Sequence, residues 1–391
     1  MLVHKDVTKH TINLESLSKL VLLCYICTLY AFYEIRIYVE VAYLLVFFLY
    51  LINRRNNQLT IYFVWSLLFV GVCLLSNLWT LDPTSSYKGT RAVLEVVIIG
   101  NLLVIFINSR EKLHYLIKCF VIAGVVLVAK LLVTTPFDVW GTERIGSYLY
   151  NANTMGLFLS ISAIAAMQMS NLKNKKVYYF LIIIFFVFIA FTGSKKAFFL
   201  FIFGLGLLYL LNKRNKSKVV FAIPISILFV IVGYQIIMSV PQFYAVLGSR
   251  IEVLFSLFTG ENNIDASTRV RMELIDIGIQ LFKQKPYLGY GLASFTNVSY
   301  ADVYSHNNYI ELLVGVGAIG TIIYYSIYIY IIFKLYKYRG ETIGNIFLTI
   351  IFLLIFMEYG LVSYFGELYQ MIIASSVATI KLIYEEKRKT R

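Results

Sequence analysis

The chain has 391 residues, of which 59% are hydrophobic and only 14% charged, and it carries a net charge of +14. Soluble domains carry about 25% charged residues, so this composition excludes an ordinary soluble domain. The basicity does not call for nucleic acid, because the positive residues are distributed as a membrane protein distributes them.

Apolar runs of about 17 to 25 residues recur along the whole length, each long enough to cross the hydrocarbon core of a bilayer as a helix. In chain order they cover residues 16–33, 36–52, 59–79, 91–107, 113–133, 153–170, 177–192, 196–211, 218–239, 306–333, 343–362 and 366–384. Backbone polar groups in lipid need internal partners, so these runs are expected to be helical. The expected fold class is all-α: a polytopic membrane protein with about 12 transmembrane helices in a single membrane-embedded domain, residues 1–391. The 31 Tyr and 30 Phe suit interfacial belts and aromatic packing. About 15 polar residues precede the first run and no small-residue cleavage pattern follows it, so no cleavable leader is expected.

Assigning the connectors alternately to the two sides, starting inside, places 23 of the 35 basic residues on inner segments. These include Lys5, Lys9, Arg54, Arg55, Arg110, Lys213, Arg214, Lys334, Lys387 and Arg391. The positive-inside rule then puts both termini in the cytoplasm. Cys24 and Cys27 form a C-x-x-C inside the first apolar run, where packing is the expected role rather than redox chemistry.

Several residues break this pattern. Lys88 and Arg91, Arg144, and Lys195 and Lys196 are cations in short connectors on the outer side. Together they suggest an anionic ligand at the outer face, lipid headgroup contact being the plainer reading for any one alone. The stretch from about 240 to 305 is the one long connector and an outer one, a large extracytoplasmic loop with amphipathic helices. One such helix is expected over 241–258. A second is expected over 269–285, with Met272, Ile275, Ile279 and Phe282 on its apolar face and Asp265 or Ser267 as its cap. Of the four histidines, His4, His10 and His114 fall on inner segments, leaving His306 as the one outside, where it can titrate near neutral pH.

Other signals carry less. Gly315-Val316-Gly317-Ala318-Ile319-Gly320 is a literal G-x-G-x-x-G without a preceding strand, so close approach of a neighbouring helix explains it better than a dinucleotide. No H-E-x-x-H, paired C-x-x-C or Asp-rich motif supports a metal site. Glu40, Glu95 and Glu358 lie in or near the apolar runs, where a carboxylate is a functional candidate or an interfacial one.

The segment His306-Asn307-Asn308-Tyr309-Ile310-Glu311, continuing through Gly317 to Gly320, resembles the histidine signature of the O-antigen ligase and polymerase family. Arg144-Ile145-Gly146-Ser147-Tyr148 followed by Asn151-Ala152-Asn153 is similar to its Asn-x-Asn motif, and Thr192-Gly193-Ser194-Lys195-Lys196-Ala197 to its Thr-Gly-Ser-Arg-Gly-Ala hairpin. Arg271 and Pro286-Tyr287-Leu288-Gly289-Tyr290-Gly291 resemble the opening and close of its large-loop helix. The resemblance covers residues 140 to 325; Lys195 stands where an arginine is usual, and Ile275 where a tryptophan is.

The resemblance implies a metal-independent glycosyltransferase, without a cofactor, in the cytoplasmic (inner) membrane of a bacterium, with its active site outside. Its donor would be a polyprenyl diphosphate-linked oligosaccharide and its other partners an acceptor glycan, membrane lipid and a chain-length regulator. Arg271 would pair with the diphosphate and His306 act as general base on the acceptor hydroxyl or orient it. Lys195 and Lys196 would add positive charge, with Arg144 and Arg269 as weaker contributors and Asn151, Asn153, Asn307 and Glu311 as further candidates. The leading expectation is a polymerase of repeat units for O antigen or capsule, because family polymerases are numerous and divergent. A ligase passing finished glycan to lipid A core or a cell-wall acceptor shares the same motifs. A flippase or anion carrier is a third reading, but no internal repeat supports it and the unusual residues cluster on one side.

Overall fold

The computed structural model describes residues 13–54, 59–146, 151–173, 175–212, 216–253, 266–301 and 303–390. Among them the chain is helical throughout its regular structure. The helices are α1 (Leu14–Ala31), α2 (Arg36–Asn53), α3 (Ile61–Ser76), α4 (Pro83–Phe106), α5 (Arg110–Thr134), α6 (Ala152–Lys173), α7 (Val177–Thr192), α8 (Lys195–Leu211) and α9 (Lys216–Ser239). They continue with α10 (Pro241–Val253), α11 (Ala266–Gln284), α12 (Asn308–Lys337), α13 (Thr342–Met357) and α14 (Glu367–Lys389).

Every apolar run read from the sequence holds a helix. Among the described residues seven are long and apolar enough to cross a membrane, or eight if the sharply bent pair Ile231–Ser239 and Pro241–Val253 counts as one span. That is fewer than the expected number of about twelve, partly because α3 and α7 have only 16 residues each and α14 ends in a charged turn. α4 also corrects the sequence reading. It begins at Pro83, where the Asp82 side chain accepts from the Ser85 amide at 3.0 Å and proline occupies the first turn. Lys88 and Arg91 therefore lie within a helix rather than in a connector, and Arg91 pairs with Glu95 at 2.8 Å.

Burial orders the bundle. α6 is the axle: 83% of its most apolar stretch is buried, against 22% for α2 at the periphery. Small residues let its neighbours close in. A side chain added at Gly124 of α5 would strike Ser162, one at Gly156 would strike Ala197 of α8, and one at Gly204 would strike Ile164. Ser160 and Ser162 bond to carbonyls of α8 and α5 as well as to their own helix, satisfying their hydroxyls in the apolar interior. The periphery is apolar too: Leu44 and Phe47 on α2 and Leu67, Leu68 and Leu75 on α3 are exposed by half or more. Exposed rows of this kind suit lipid rather than water.

The two ends of the bundle differ. At one end Arg110 bonds to Glu386 at 2.6 Å and Glu341 at 3.0 Å, and Lys19 bonds to Glu111 at 2.8 Å and Glu15 at 3.1 Å. α1 runs from this end to the other, and α14 returns. At the far end lie Tyr33 after α1 and Glu367 opening α14.

α12 is broken where the G-x-G-x-x-G lies. Gly317 has φ 66° and ψ −172°, and the segment 286–291 fills the break. The Tyr290 and Gly291 amides donate to the Val314 and Gly315 carbonyls, each at 2.8 Å, while the Ala318 and Ile319 amides donate to Pro286 and Tyr287 at 2.8 and 3.4 Å. A side chain at Gly317 would sit 2.3 Å from the Tyr287 oxygen. The close neighbour at Gly315 and Gly317 is thus a loop docking on unwound backbone, while Gly320 faces Val72 of α3 as a helix neighbour.

α11 forms where an amphipathic helix was expected, and Ile275 of the expected face packs partly buried against its neighbours, but the buried arc is shifted. Leu274 and Gly278 are buried against Phe295, Ile310 and Val314, whereas Met272 and Ile279 are exposed. Gly278 decides this, since only a residue without Cβ leaves room for the Ile310 side chain. The expected cap Asp265 lies outside the described residues. The other amphipathic helix is present as α10, as far as Val253.

Candidate functional site

Opposite the ion-paired end, loops and helix termini enclose a cavity of about 510 Å³. Its walls include Asn151, Asn153, Lys196, Arg271, His306, Glu311, Tyr304 and Glu367.

His306 is held by the turn that opens α12. The Asn307 side chain caps that helix, accepting from the Tyr309 and Ile310 amides at 2.9 and 3.1 Å. Glu311, one turn on, reaches back to accept from the Ser305 hydroxyl at 2.6 Å and its amide at 3.1 Å. With its neighbours fixed on both sides, His306 adopts φ 55°, a left-handed conformation uncommon outside glycine. Such strain persists only where surroundings impose it, and it turns the ring towards Tyr304, 4.1 Å away between centroids. Burial, reinforced by the Arg271 and Lys196 charges, holds its pKa below the usual 6.5. The imidazole is therefore neutral at neutral pH and able to accept a proton.

Lys196 reaches the cavity from the tight turn between α7 and α8. Gly193 closes α7 in the left-handed conformation with φ 60°, and the Ser194 hydroxyl caps α8 by accepting from the Ala197 amide. The Lys196 ammonium lies against Gly360 after α13, where an added Cβ would come within 2.6 Å of Nζ.

The Arg144 loop braces this turn. Arg144 donates from Nε to the Thr192 carbonyl at 2.8 Å and from Nη2 to Asn153 Oδ1 at 2.8 Å. Asn151 in turn accepts from the Asn153 amide, opening α6. Burial and the charges of Arg250 and Arg271 push the Arg144 pKa down to about 10, so it stays cationic at neutral pH. Arg271, half-buried on α11, lines the cavity itself.

Six of the sequence candidates thus share one cavity: Lys196, Arg271, His306, Glu311, Asn151 and Asn153. Four do not line it. Arg144 supports from behind, Asn307 is a buried cap, Arg269 is exposed, and Lys195 lies beside Lys196 outside the lining. The Lys195 and Lys196 candidates are thereby sorted, with Lys196 the one that faces inward. Among the described residues no carboxylate lies within ion-pair distance of Lys196 or Arg271. No group of three or more His, Cys, Asp or Glu converges among them either.

The three intramembrane carboxylates separate as well. Glu40 and Glu95 pair with arginines one turn away, at 3.1 and 2.8 Å. Glu358 is fully buried and accepts from Tyr325 at 2.7 Å, Tyr328 at 2.6 Å and Ser363 at 2.5 Å. Asn308 joins that network, donating to Tyr325 and accepting from the Ser363 and Tyr364 amides, so it ties the start of α12 to the segment before α14. Sequence reasoning missed Glu367, Tyr33 and Gly360, which belong to no motif; a carboxylate beside glycine at the edge of an apolar run was the available signal.

These features define a multi-pass helical membrane protein with a histidine-bearing cavity, lined by a lysine and an arginine, at one end of its bundle. Residues 180–325 match the family model described as O-antigen ligase, and this supports the O-antigen ligase/polymerase family for the chain. The matched region holds Lys196, Arg271 and His306, while Arg144, Asn151 and Asn153 precede it. No curated protein matches the chain.

Proposed function

We propose that the chain is a glycosyltransferase that polymerises lipid-linked repeat units at the outer face of the bacterial cytoplasmic membrane, with both termini in the cytoplasm. The observation that carries this reading is the meeting of Lys196, Arg271 and His306 in one cavity, where among the described residues no carboxylate stands within ion-pair distance of the lysine or the arginine. A polyprenyl diphosphate supplies the missing negative charge, and its phosphate oxygens suit the planar guanidinium of Arg271.

In this reaction the acceptor hydroxyl attacks the anomeric carbon of the donor glycan. The bond from that carbon to the diphosphate oxygen breaks, and the carrier diphosphate leaves with the electron pair. His306 takes the hydroxyl proton as the new glycosidic bond forms. Arg271 and Lys196 stabilise charge that grows on the leaving diphosphate. Donor binding also tunes the base: the diphosphate offsets the two cations that lower the His306 pKa, so the imidazole becomes more basic once the donor is seated. The diphosphate ester supplies the driving force, so neither nucleotide sugar nor metal enters the scheme.

The family description favours a second reading, a ligase that passes finished glycan to another acceptor with the same chemistry. Purified lipid-diphosphate repeat units incubated with the protein in nanodiscs test the proposal. A ladder of longer lipid-linked glycans supports the polymerase. A folded protein that yields no ladder, yet consumes lipid-linked polymer when given core or cell-wall acceptors, overturns it in favour of the ligase.

A further inference from the structure

The cavity that holds the cations and His306 also has a wall of different chemistry. Glu367 opens α14 there, next to Tyr33, Phe365 and Tyr369. The Tyr33 hydroxyl stands 3.5 Å from Glu367 Oε1, a long contact for a hydroxyl and a carboxylate. Tyr38 approaches from the same side, with its own hydroxyl 3.3 Å from that of Tyr25. Among the described residues no Lys or Arg lies within ion-pair distance of Glu367. A carboxylate has about four acceptor positions, so Glu367 keeps hydrogen-bonding capacity that these tyrosines do not use. The groups around the cavity are thus divided: Lys196 and Arg271 suit an anion, while Glu367 suits neutral donors.

We propose that Glu367, with Tyr33 and Tyr369, forms a subsite for a sugar ring of the acceptor glycan, the carboxylate accepting from two neighbouring hydroxyls. A vicinal diol presents two O–H donors at a spacing that the two oxygens of one carboxylate can accept together. The tyrosine rings offer apolar faces to the C–H side of a pyranose and hydroxyls to its edge. The diphosphate is attracted to Lys196 and Arg271, on the other wall from Glu367, so the division of groups also orients the two substrates. This inference rests on the transfer reaction proposed above for the identity of its ligand, and it adds the residue that selects the acceptor.

The test is binding, read separately from turnover. Free repeat-unit oligosaccharide, released from the host's own surface polysaccharide, is titrated into the full chain in nanodiscs and followed by saturation-transfer NMR. Saturable binding to the wild type, weakened about 10-fold or more in Glu367→Gln while binding of the diphosphate donor is unchanged, is the expected result. Equal affinity in the variant, or no saturable binding to the wild type, overturns the subsite. Glu367→Asp, which keeps the charge but retracts it by one methylene, replaces Glu367→Gln if that variant does not fold, and the same weakening is expected of it. Glycan binding that depends on Glu367 without a lipid-linked ladder would sink the polymerase and leave the subsite standing. A ladder with undiminished binding in the variant would do the reverse.

Discussion

The two ends of this bundle handle positive charge in opposite ways. At the end where α1 begins and α14 finishes, Arg110, Lys19 and Lys387 stand within 4 Å of carboxylates from other segments. Those cations fasten helices together. At the cavity end Lys196 and Arg271 have no such partners among the described residues, and they lower the pKa of His306 instead of binding an acid. A cation held near others without an anion is an unfavourable arrangement in a resting protein. It becomes favourable when a ligand brings the charge, and that is the physical distinction between a structural cation and a binding one.

Substitution at the two ends sharpens the contrast. The largest effect is expected from His306→Ala and Arg271→Ala, each lowering glycan transfer by about 10²-fold or more with the elution profile of the purified protein unchanged. Near-normal turnover in both variants would place the chemistry elsewhere. Next comes Lys196→Met, which removes an amine whose pKa burial and the Arg271 and Lys195 charges push down to about 7, so that it is partly protonated in the empty site. Donor affinity should fall about 10-fold, while the thermal stability of the empty protein holds or rises, because repulsion with Arg271 is relieved. A marked loss of stability would show that Lys196 is structural after all.

The pH dependence follows from the sign of the His306 shift. Its pKa is held below 6.5 in the empty site, so kcat/KM should be flat near neutrality and fall only under more acidic conditions, where protonation removes the base. The acid limb of kcat should lie at higher pH than that of kcat/KM, because bound diphosphate raises the same group. Coincident limbs would mean that the anion does not sit beside His306. The smallest effect belongs to the other end. Arg110→Met breaks bonds between side chains that are 44% and 37% exposed, so stability should fall by at most about 1 kcal/mol. Donor affinity measured alongside should be unchanged.

The sequence exposed much of this arrangement, because its signals were local. Apolar runs marked the helices, and the short motifs around Lys196, Arg271 and His306 announced residues that the fold brings into one cavity. What it hid depends on contact between distant segments. Glu367 is anonymous until the start of α14 is placed beside Tyr33, in the turn that follows α1. The buried arc of α11 could not be chosen from periodicity, since Met272 and Ile279 repeat as regularly as Leu274 and Gly278, and only the fit of Ile310 against Gly278 separates them. Asn307 resembled a site residue because it neighbours His306, yet both of its cap bonds go to backbone. The extent of α4 was obscured by polar residues in its first turns, which the Asp82 cap and Pro83 nonetheless make helical.

The clasp between segment 286–291 and the break at Gly317 has a mechanical consequence. Pulling that segment away would strip partners from four amides and carbonyl pairs at once, at several kcal/mol for each group left bare in an apolar setting. α11 is therefore pinned at its C-terminal end, and Leu274 and Gly278 seat it further along against Phe295 and Ile310. Arg271 lies fifteen residues from Pro286, or roughly 22 Å along a helix axis. Leu274 is buried only three residues from Arg271, so the guanidinium is carried on a helix braced at both ends of that distance.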